Sequence, residues 1–163
     1  MIRYPNVIPE CNVDTAFVEM LGYSFPNHAA SIHQVCSILE KQKPNKICIG
    51  FIDDDKKKPG YISNFESLNK SAYFSILKHS SLNQYLVIAK PAMDKVIFKM
   101  CQGLDIDLSQ YGFPKEFNAF LAQTKREGIR TNPKFKNLLN TIKQKNLPDI
   151  QMVKSFCYNL IAL

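Results

Sequence analysis

The chain has 163 residues, of which 45% are hydrophobic and 21% charged, and this length suffices for one domain with a substantial buried core. No apolar run approaches the ~20 residues of a membrane span, and the first residues lack the apolar segment of a signal peptide. The five cysteines have no metal-like spacing. We therefore expect a cytoplasmic protein with free thiols, rather than a membrane protein or one built on disulfides. The net charge of +7 indicates an anionic partner, although charge speaks to association rather than to chemistry.

The first twenty-two residues predict a strand followed by a helix. A short strand within residues 4–9 ends at Glu10, although its prolines cannot donate to a ladder. Apolar residues then recur at helical spacing, with Asn12 or Asp14 able to cap the start and Gly22 suited to the end. Two carboxylates therefore lie between the first strand and the first turns of its helix.

A second helix, capped by Ser31, leads to the most informative segment of the sequence. Residues 47–52 form a short, β-branched and almost wholly apolar run, which is typical of a strand buried on both faces. Asp53, Asp54 and Asp55 follow at the carboxyl end of this strand, where open α/β sheets bind ligands. If the chain stays extended, Asp53 and Asp55 point to one side and Asp54 to the other.

The acidic run has two interpretations. Like charges about 4 Å apart repel by roughly 1 kcal/mol in water and about 4 kcal/mol at an effective dielectric constant near 20, so a partly dry edge must neutralise them, and Mg²⁺ with its oxygen ligands is the simplest answer. Alternatively, residues 53–58 form a solvated loop whose three aspartates and three lysines cancel, closed by the Pro59-Gly60 turn.

The middle of the chain continues the alternation of strands and helices. Residues 61–70 are polar with scattered aromatics, and residues 71–78 fit either a short helix or a strand. Residues 84–89 predict a third apolar strand, followed by Asp94 in the first turn of a helix that ends near Gly103. The order of the first four elements, strand, helix, helix and strand, predicts βαβ crossovers and a parallel sheet.

From residue 114 onward the pattern is helical, with helix starts predicted at Asn132-Pro133 and at Pro148. Residues 115–145 carry eight basic and two acidic side chains, which suits either phosphate-backbone binding or a solvated helical face. The candidate nucleic-acid-binding residues are Lys125, Arg126, Arg130, Lys134 and Lys136.

The acidic positions resemble those of the Toprim domain, the magnesium-binding module of topoisomerases, bacterial primases, RecR-like proteins and OLD-family nucleases. Glu10 and Asp14 match its Glu-x-x-x-Asp element, in which a strand ends in Glu and a helix begins four residues later. Asp53 and Asp55 match its Asp-x-Asp element, and Asp94 resembles the further acidic position of OLD-like proteins. A cysteine stands where the family usually has Gly after the Glu.

The resemblance implies an α/β fold: a Toprim-like, Rossmannoid three-layer sandwich with a mostly parallel central sheet. It covers residues 4–101, and residues 114–163 are then a helical C-terminal extension within a single domain of residues 1–163. It also implies a stand-alone protein close in pattern to OLD-like nucleases, acting on DNA or RNA.

The chemistry implied by the resemblance is metal-dependent phosphodiester hydrolysis with one or two Mg²⁺ or Mn²⁺ ions. The implied metal ligands are Glu10, Asp53, Asp55 and Asp94. Among them Glu10 is the candidate general acid–base, and Asp14 supports the cluster. Lys56 and Lys90 are candidates for offsetting charge in the transition state.

Two other functions remain open from the sequence. On the same fold, the chain could bind nucleic acid or a protein partner, such as an ATPase or a second copy of itself, without cutting anything. A phosphoacceptor receiver domain also carries an acidic pair, but at the end of its first strand, whereas here a strand and two helices precede Asp53.

Overall fold

A computed structural model describes residues 6–55 and 57–161 of the chain. In this part of the chain there are five strands: β1 (Val7–Pro9), β2 (Cys48–Asp53), β3 (Phe65–Lys70), β4 (Phe74–His79) and β5 (Gln84–Ala89). There are six α-helices: α1 (Asn12–Leu21), α2 (Ile32–Glu40), α3 (Met93–Gly103), α4 (Phe117–Thr124), α5 (Pro133–Gln144) and α6 (Pro148–Ile161). Short 3-10 turns cover Gly60–Asn64, Leu108–Tyr111 and Glu127–Thr131.

The strands form one open mixed sheet in the order β1-β2-β5-β4-β3. The α/β class is confirmed, but the expectation of a mostly parallel sheet is wrong. β1 and β5 run parallel to β2, whereas β4 runs antiparallel to both β5 and β3. A β3–β4 hairpin thus precedes β5, and residues 71–78, which fitted either a helix or a strand, contain most of β4.

The hairpin explains why the sequence misled at this point. Residues 61–70 contain β3, an edge strand exposed at every position after Phe65, so it lacks the apolar pattern from which strands are recognised. Its register with β4 also shifts between Ser67 and Asn69, as a β-bulge does.

Apolar side chains cover both faces of the sheet, so the helices and the sheet form three layers. α2 packs on one face, where Val35 and Leu39 meet Cys48 and Leu86. Helices α1, α3, α5 and α6 contribute to the larger core on the other face. The alternation of β2 assigns Ile49 and Phe51 to the larger core, and Asp53, two residues later, falls on the same side.

The helix ends follow the predicted signals with one exception. Ser31 caps α2 through its side chain, Gly22 ends α1 at φ 113°, and Asn132 caps α5. The cap of α1 is Cys11, however, rather than Asn12 or Asp14. None of the helices in the described part of the chain has the length and apolarity needed to cross a bilayer.

Candidate acidic site at the carboxyl edge of the sheet

The three parallel strands bring acidic residues to one edge of the sheet. Glu10 follows β1, Asp53 is the last residue of β2, and Asp94 lies in the first turn of α3, which follows β5. Pro9 pairs with Phe51, and Asp53 pairs with Ala89, so the strand ends are in register. Acids that are 43 and 41 residues apart along the chain therefore meet at this edge.

Glu10 and Asp53 are neighbours across the β1–β2 pair. The backbone N–H of Asp53 donates to Oε2 of Glu10 at 3.2 Å, and the backbone N–H of Glu10 donates to the carbonyl of Phe51 at 3.0 Å. Both acids are buried, with 2% of Glu10 and 6% of Asp53 exposed. Glu10 thus fixes the backbone from which the Asp53 side chain projects.

Asp53 also joins β2 to the start of α3. Its Oδ1 accepts the backbone N–H of Met93, the first residue of α3, at 2.9 Å. Ala92 at the N-cap has no side chain that can accept this bond, so Asp53 replaces a local cap from across the sheet edge. The positive end of the α3 dipole favours the ionised form of a carboxylate placed there.

The three aspartates that end β2 have separate environments. The N–H groups of Asp54 and Asp55 both donate to the carbonyl of Pro91, at 2.8 and 2.9 Å, which holds this turn against the start of α3. The side chain of Asp54 forms an ion pair with Lys58. Asp53 and Asp55 both line the adjacent cavity, and Asp54 is not among its lining residues.

Asp14 lies beside the same cluster, fully buried in the first turn of α1. Its Oδ2 accepts the N–H of Cys11 at 3.2 Å, and its own N–H donates to Sγ of Cys11 at 3.5 Å, which completes a capping box. Its Oδ1 is buried without a hydrogen-bond partner among the described residues.

Burial and the charges of its neighbours disfavour ionisation of Asp14. Burial raises the pKa of Asp14 well above its usual value, and the Asp53 carboxylate, with smaller contributions from Glu10 and Asp94, raises it further. Burial, followed by the Asp14 charge, likewise raises the pKa of the Cys11 thiol. These acids therefore form one electrostatic cluster, in which added positive charge is stabilising.

A cavity of about 510 Å³ opens at this cluster. Its walls combine the turn after β2, the starts of α1 and α3, and one side of α4. Three carboxylates (Asp53, Asp55 and Asp94) and two ammonium groups (Lys95 and Lys125) line it. The lining thus has a formal excess of one negative charge, which an anionic substrate alone would worsen.

The donor chemistry suits a hard cation. Magnesium is usually held by one or two carboxylates together with water and substrate phosphate, and Asp53, Asp55 and Asp94 offer only oxygen donors. Among residues 6–55 and 57–161, no group of three or more His, Cys, Asp or Glu side chains is positioned to hold a metal ion by itself. The residues fit a magnesium site of the water- and phosphate-completed kind, rather than an all-protein cage.

Of the two lysines expected to support the site, Lys90 is not among the residues that line the cavity. Lys56 falls outside the described residues. Lys90 directs its ammonium group to the carbonyl of Ser71 at 3.1 Å, which ties it to the turn between β3 and β4. Lys95, which sequence reasoning missed, lines the cavity instead, and its position directly after Asp94 was the only signal for it.

The predicted basic residues divide into different environments. Lys125 lines the acidic cavity, and Arg126 and Lys134 are exposed. Arg130 binds Glu19 of α1 through two N–H groups, at 2.7 and 3.1 Å, and with Lys136 it lines a second cavity of about 370 Å³. Lys125 is therefore the member of this set that the fold brings to the acidic site.

Comparison of the chain with protein-family models, with curated proteins and with solved structures found no match.

Proposed function

We propose that this protein is a metal-dependent phosphodiester hydrolase that acts on nucleic acid, with its reaction centre at the acidic cavity. The observation that carries the proposal is the meeting of Asp53, Asp55 and Asp94, from two distant segments, in one cavity that also contains two lysines. The Toprim resemblance led us to expect a metal site built from these acids, and the oxygen donors that they offer support the proposal.

The burial of the cluster supports a bound cation. Glu10, Asp14 and Asp53 are each at least nine-tenths buried, and the negative charges of Asp14 and Asp53 would repel each other if both were ionised. Natural cores seldom keep like charges together without a counter-charge, because the repulsion grows as the dielectric constant falls. A divalent cation would relieve this repulsion and would also reverse the sign of the cavity's net charge.

Each residue then has a defined task. Asp53, together with Asp55 or Asp94, would hold Mg²⁺ or Mn²⁺, and the bound ion would supply polarisation of the phosphate and activation of a water molecule. Lys95 and Lys125 bind the non-bridging oxygens of the phosphate and offset its charge. The burial of Glu10 and its bond to the Asp53 backbone favour a positioning role over the acid–base role that the resemblance implies.

The test is cleavage of end-labelled DNA and RNA in Mg²⁺ or Mn²⁺. We expect cleavage by the wild type that stops on chelation, and a loss of about 100-fold or more in Asp53→Asn, because a proposed carboxylate ligand of the metal loses its negative charge. Asp105→Asn is the matched control, since Asp105 is exposed and has a φ of 52° that asparagine also adopts. Equal cleavage by the wild type and Asp53→Asn would refute the proposal.

A non-catalytic nucleic-acid-binding role is the second candidate. It is favoured by the structural roles that two of the acids already have, since Asp53 accepts the first N–H of α3 and Asp14 completes the capping box of α1. It predicts salt-sensitive binding of nucleic acid with no cleavage in any divalent cation.

A further inference from the structure

The acidic cavity has one wall of carboxylates and another wall that is largely apolar. One wall carries the carboxylates of Asp53, Asp55 and Asp94. Another wall is a stripe of α4, in which Phe117, Leu121, Thr124 and Lys125 recur at the i, i+4, i+7 and i+8 spacing of one helix face. The cavity thus presents an aromatic and aliphatic surface next to a site suited to a cation and a phosphate.

Phe117 is held in place from within the protein. Its ring packs edge-to-face on Phe98 with centroids 5.3 Å apart, and Lys95 lies over it with Nζ 3.8 Å from the ring centroid. A cation–π contact of this half-exposed kind is generally weaker than the stacking of a nucleobase on an aromatic ring. Exchange of the Lys95 ammonium for a base, with the ammonium moving to a phosphate, is therefore favourable.

The burial of the acidic side chains limits which nucleic-acid structures can reach them. Only 6% of Asp53 is exposed, and the cavity volume of about 510 Å³ falls in the range of small-ligand sites, roughly 300–1,000 Å³. Such a space accommodates a nucleotide unit but not the side of an intact double helix. Enzymes whose target atoms are out of reach in a duplex act on unpaired strands or extrude the nucleotide.

We infer that the substrate is a nucleotide unit free of a duplex: its base packs on Phe117 of α4, and its phosphodiester lies between Lys125 and the acidic wall. This inference rests on the proposed hydrolase function and adds the substrate class. The unit has two possible sources with the same chemistry, an unpaired strand of DNA or RNA and a free dinucleotide.

The test measures binding rather than cleavage, with Ca²⁺ as the hard cation. Fluorescence anisotropy compares a labelled single-stranded oligonucleotide, the same sequence as a blunt duplex, and unlabelled dinucleotide as competitor. We expect Phe117→Leu, which retains apolar contact with Phe98, to weaken single-strand binding about 5- to 150-fold, the range equivalent to loss of one stacked base. Phe156→Leu is the matched control, because Phe156 is also a half-buried ring in an edge-to-face pair, with Tyr85, and is not a lining residue of the cavity.

The outcomes separate this inference from the hydrolase proposal. Wild-type affinity in Phe117→Leu, or a blunt duplex bound as tightly as the single strand, overturns the inference even if metal-dependent cleavage is found. A Phe117-dependent preference for single strands without cleavage supports the inference and overturns the hydrolase. If the dinucleotide competes at concentrations as low as those at which the oligonucleotide binds, the inference is supported and the free dinucleotide is identified as the source of the bound nucleotide unit.

Discussion

A divalent cation bound at the proposed site would stabilise the folded protein, and Asp53→Asn is expected to abolish that stabilisation. The asparagine amide oxygen can still accept the Met93 N–H, so the substitution removes charge and little packing. A cation that binds only the folded state stabilises it by RT ln(1 + [L]/Kd), about 2.7 kcal/mol at 100 times Kd. Each kcal/mol moves the melting temperature of a chain of this size by roughly 2–4 °C, so the wild type should gain roughly 5–11 °C.

The assay is thermal unfolding followed by circular dichroism, with Mg²⁺ or Mn²⁺ added at constant ionic strength and compared with chelator. Asp105→Asn, an exposed substitution outside the cavity lining, should show the full wild-type gain. The reasoning fails if Asp53→Asn gains as much as the wild type. It fails equally if the wild type gains nothing up to millimolar cation.

Three further predictions concern charge and packing. In chelator, Asp14→Asn should be more stable than the wild type at pH 8. The pKa of Asp14 is raised in the folded state, so the stability of the wild type falls by up to about 1.4 kcal/mol per pH unit as the pH rises from about 4 towards that pKa. Denaturant titrations that give parallel pH profiles for the two proteins would contradict this. Gly50→Ala should lower the free energy of unfolding in urea by about 1–3 kcal/mol, because the new Cβ would lie 2.8 Å from side-chain atoms of both α2 and β5. Gly128→Ala, which has open space around the new Cβ, should leave the free energy of unfolding nearly unchanged. Lys125→Ala should reduce the slope of log affinity for nucleic acid against log salt concentration by about 1, while Lys115→Ala, which removes an exposed partner of Asp107, should leave the slope unchanged. Equal slopes for the two variants would show that Lys125 does not contact a phosphate.

The elements that bury apolar residues could be predicted from the sequence. β5 spans the predicted residues 84–89, β2 is displaced by one residue from the predicted 47–52, and α6 begins at Pro148 as expected. In each case the signal was local, since an apolar run, a cap or a proline determines the conformation of its own segment. All three residues of β1 fall within the predicted 4–9, whose first two residues lie outside the described part of the chain.

The edge hairpin and the cavity lining could not be predicted in this way. β3 is stabilised by pairing with β4 rather than by burial, so its polar sequence resembled a loop. The proximity of Glu10 and Asp53 was implied by the Toprim resemblance, but the approach of α4 was not, because it depends on contacts of Phe117 and Phe120 with Phe98 of α3. Long-range packing of this kind leaves no periodic signal in either segment.

The most direct test of the proposed metal site is anomalous diffraction from crystals of the wild-type protein soaked in Mn²⁺. The account predicts a peak in the acidic cavity, within coordination distance of carboxylate oxygens of Asp53 and of at least one of Asp55 and Asp94, and no such peak for Asp53→Asn. An empty cavity at saturating Mn²⁺, or a peak that persists in the variant, would contradict the claim that these carboxylates hold the catalytic cation.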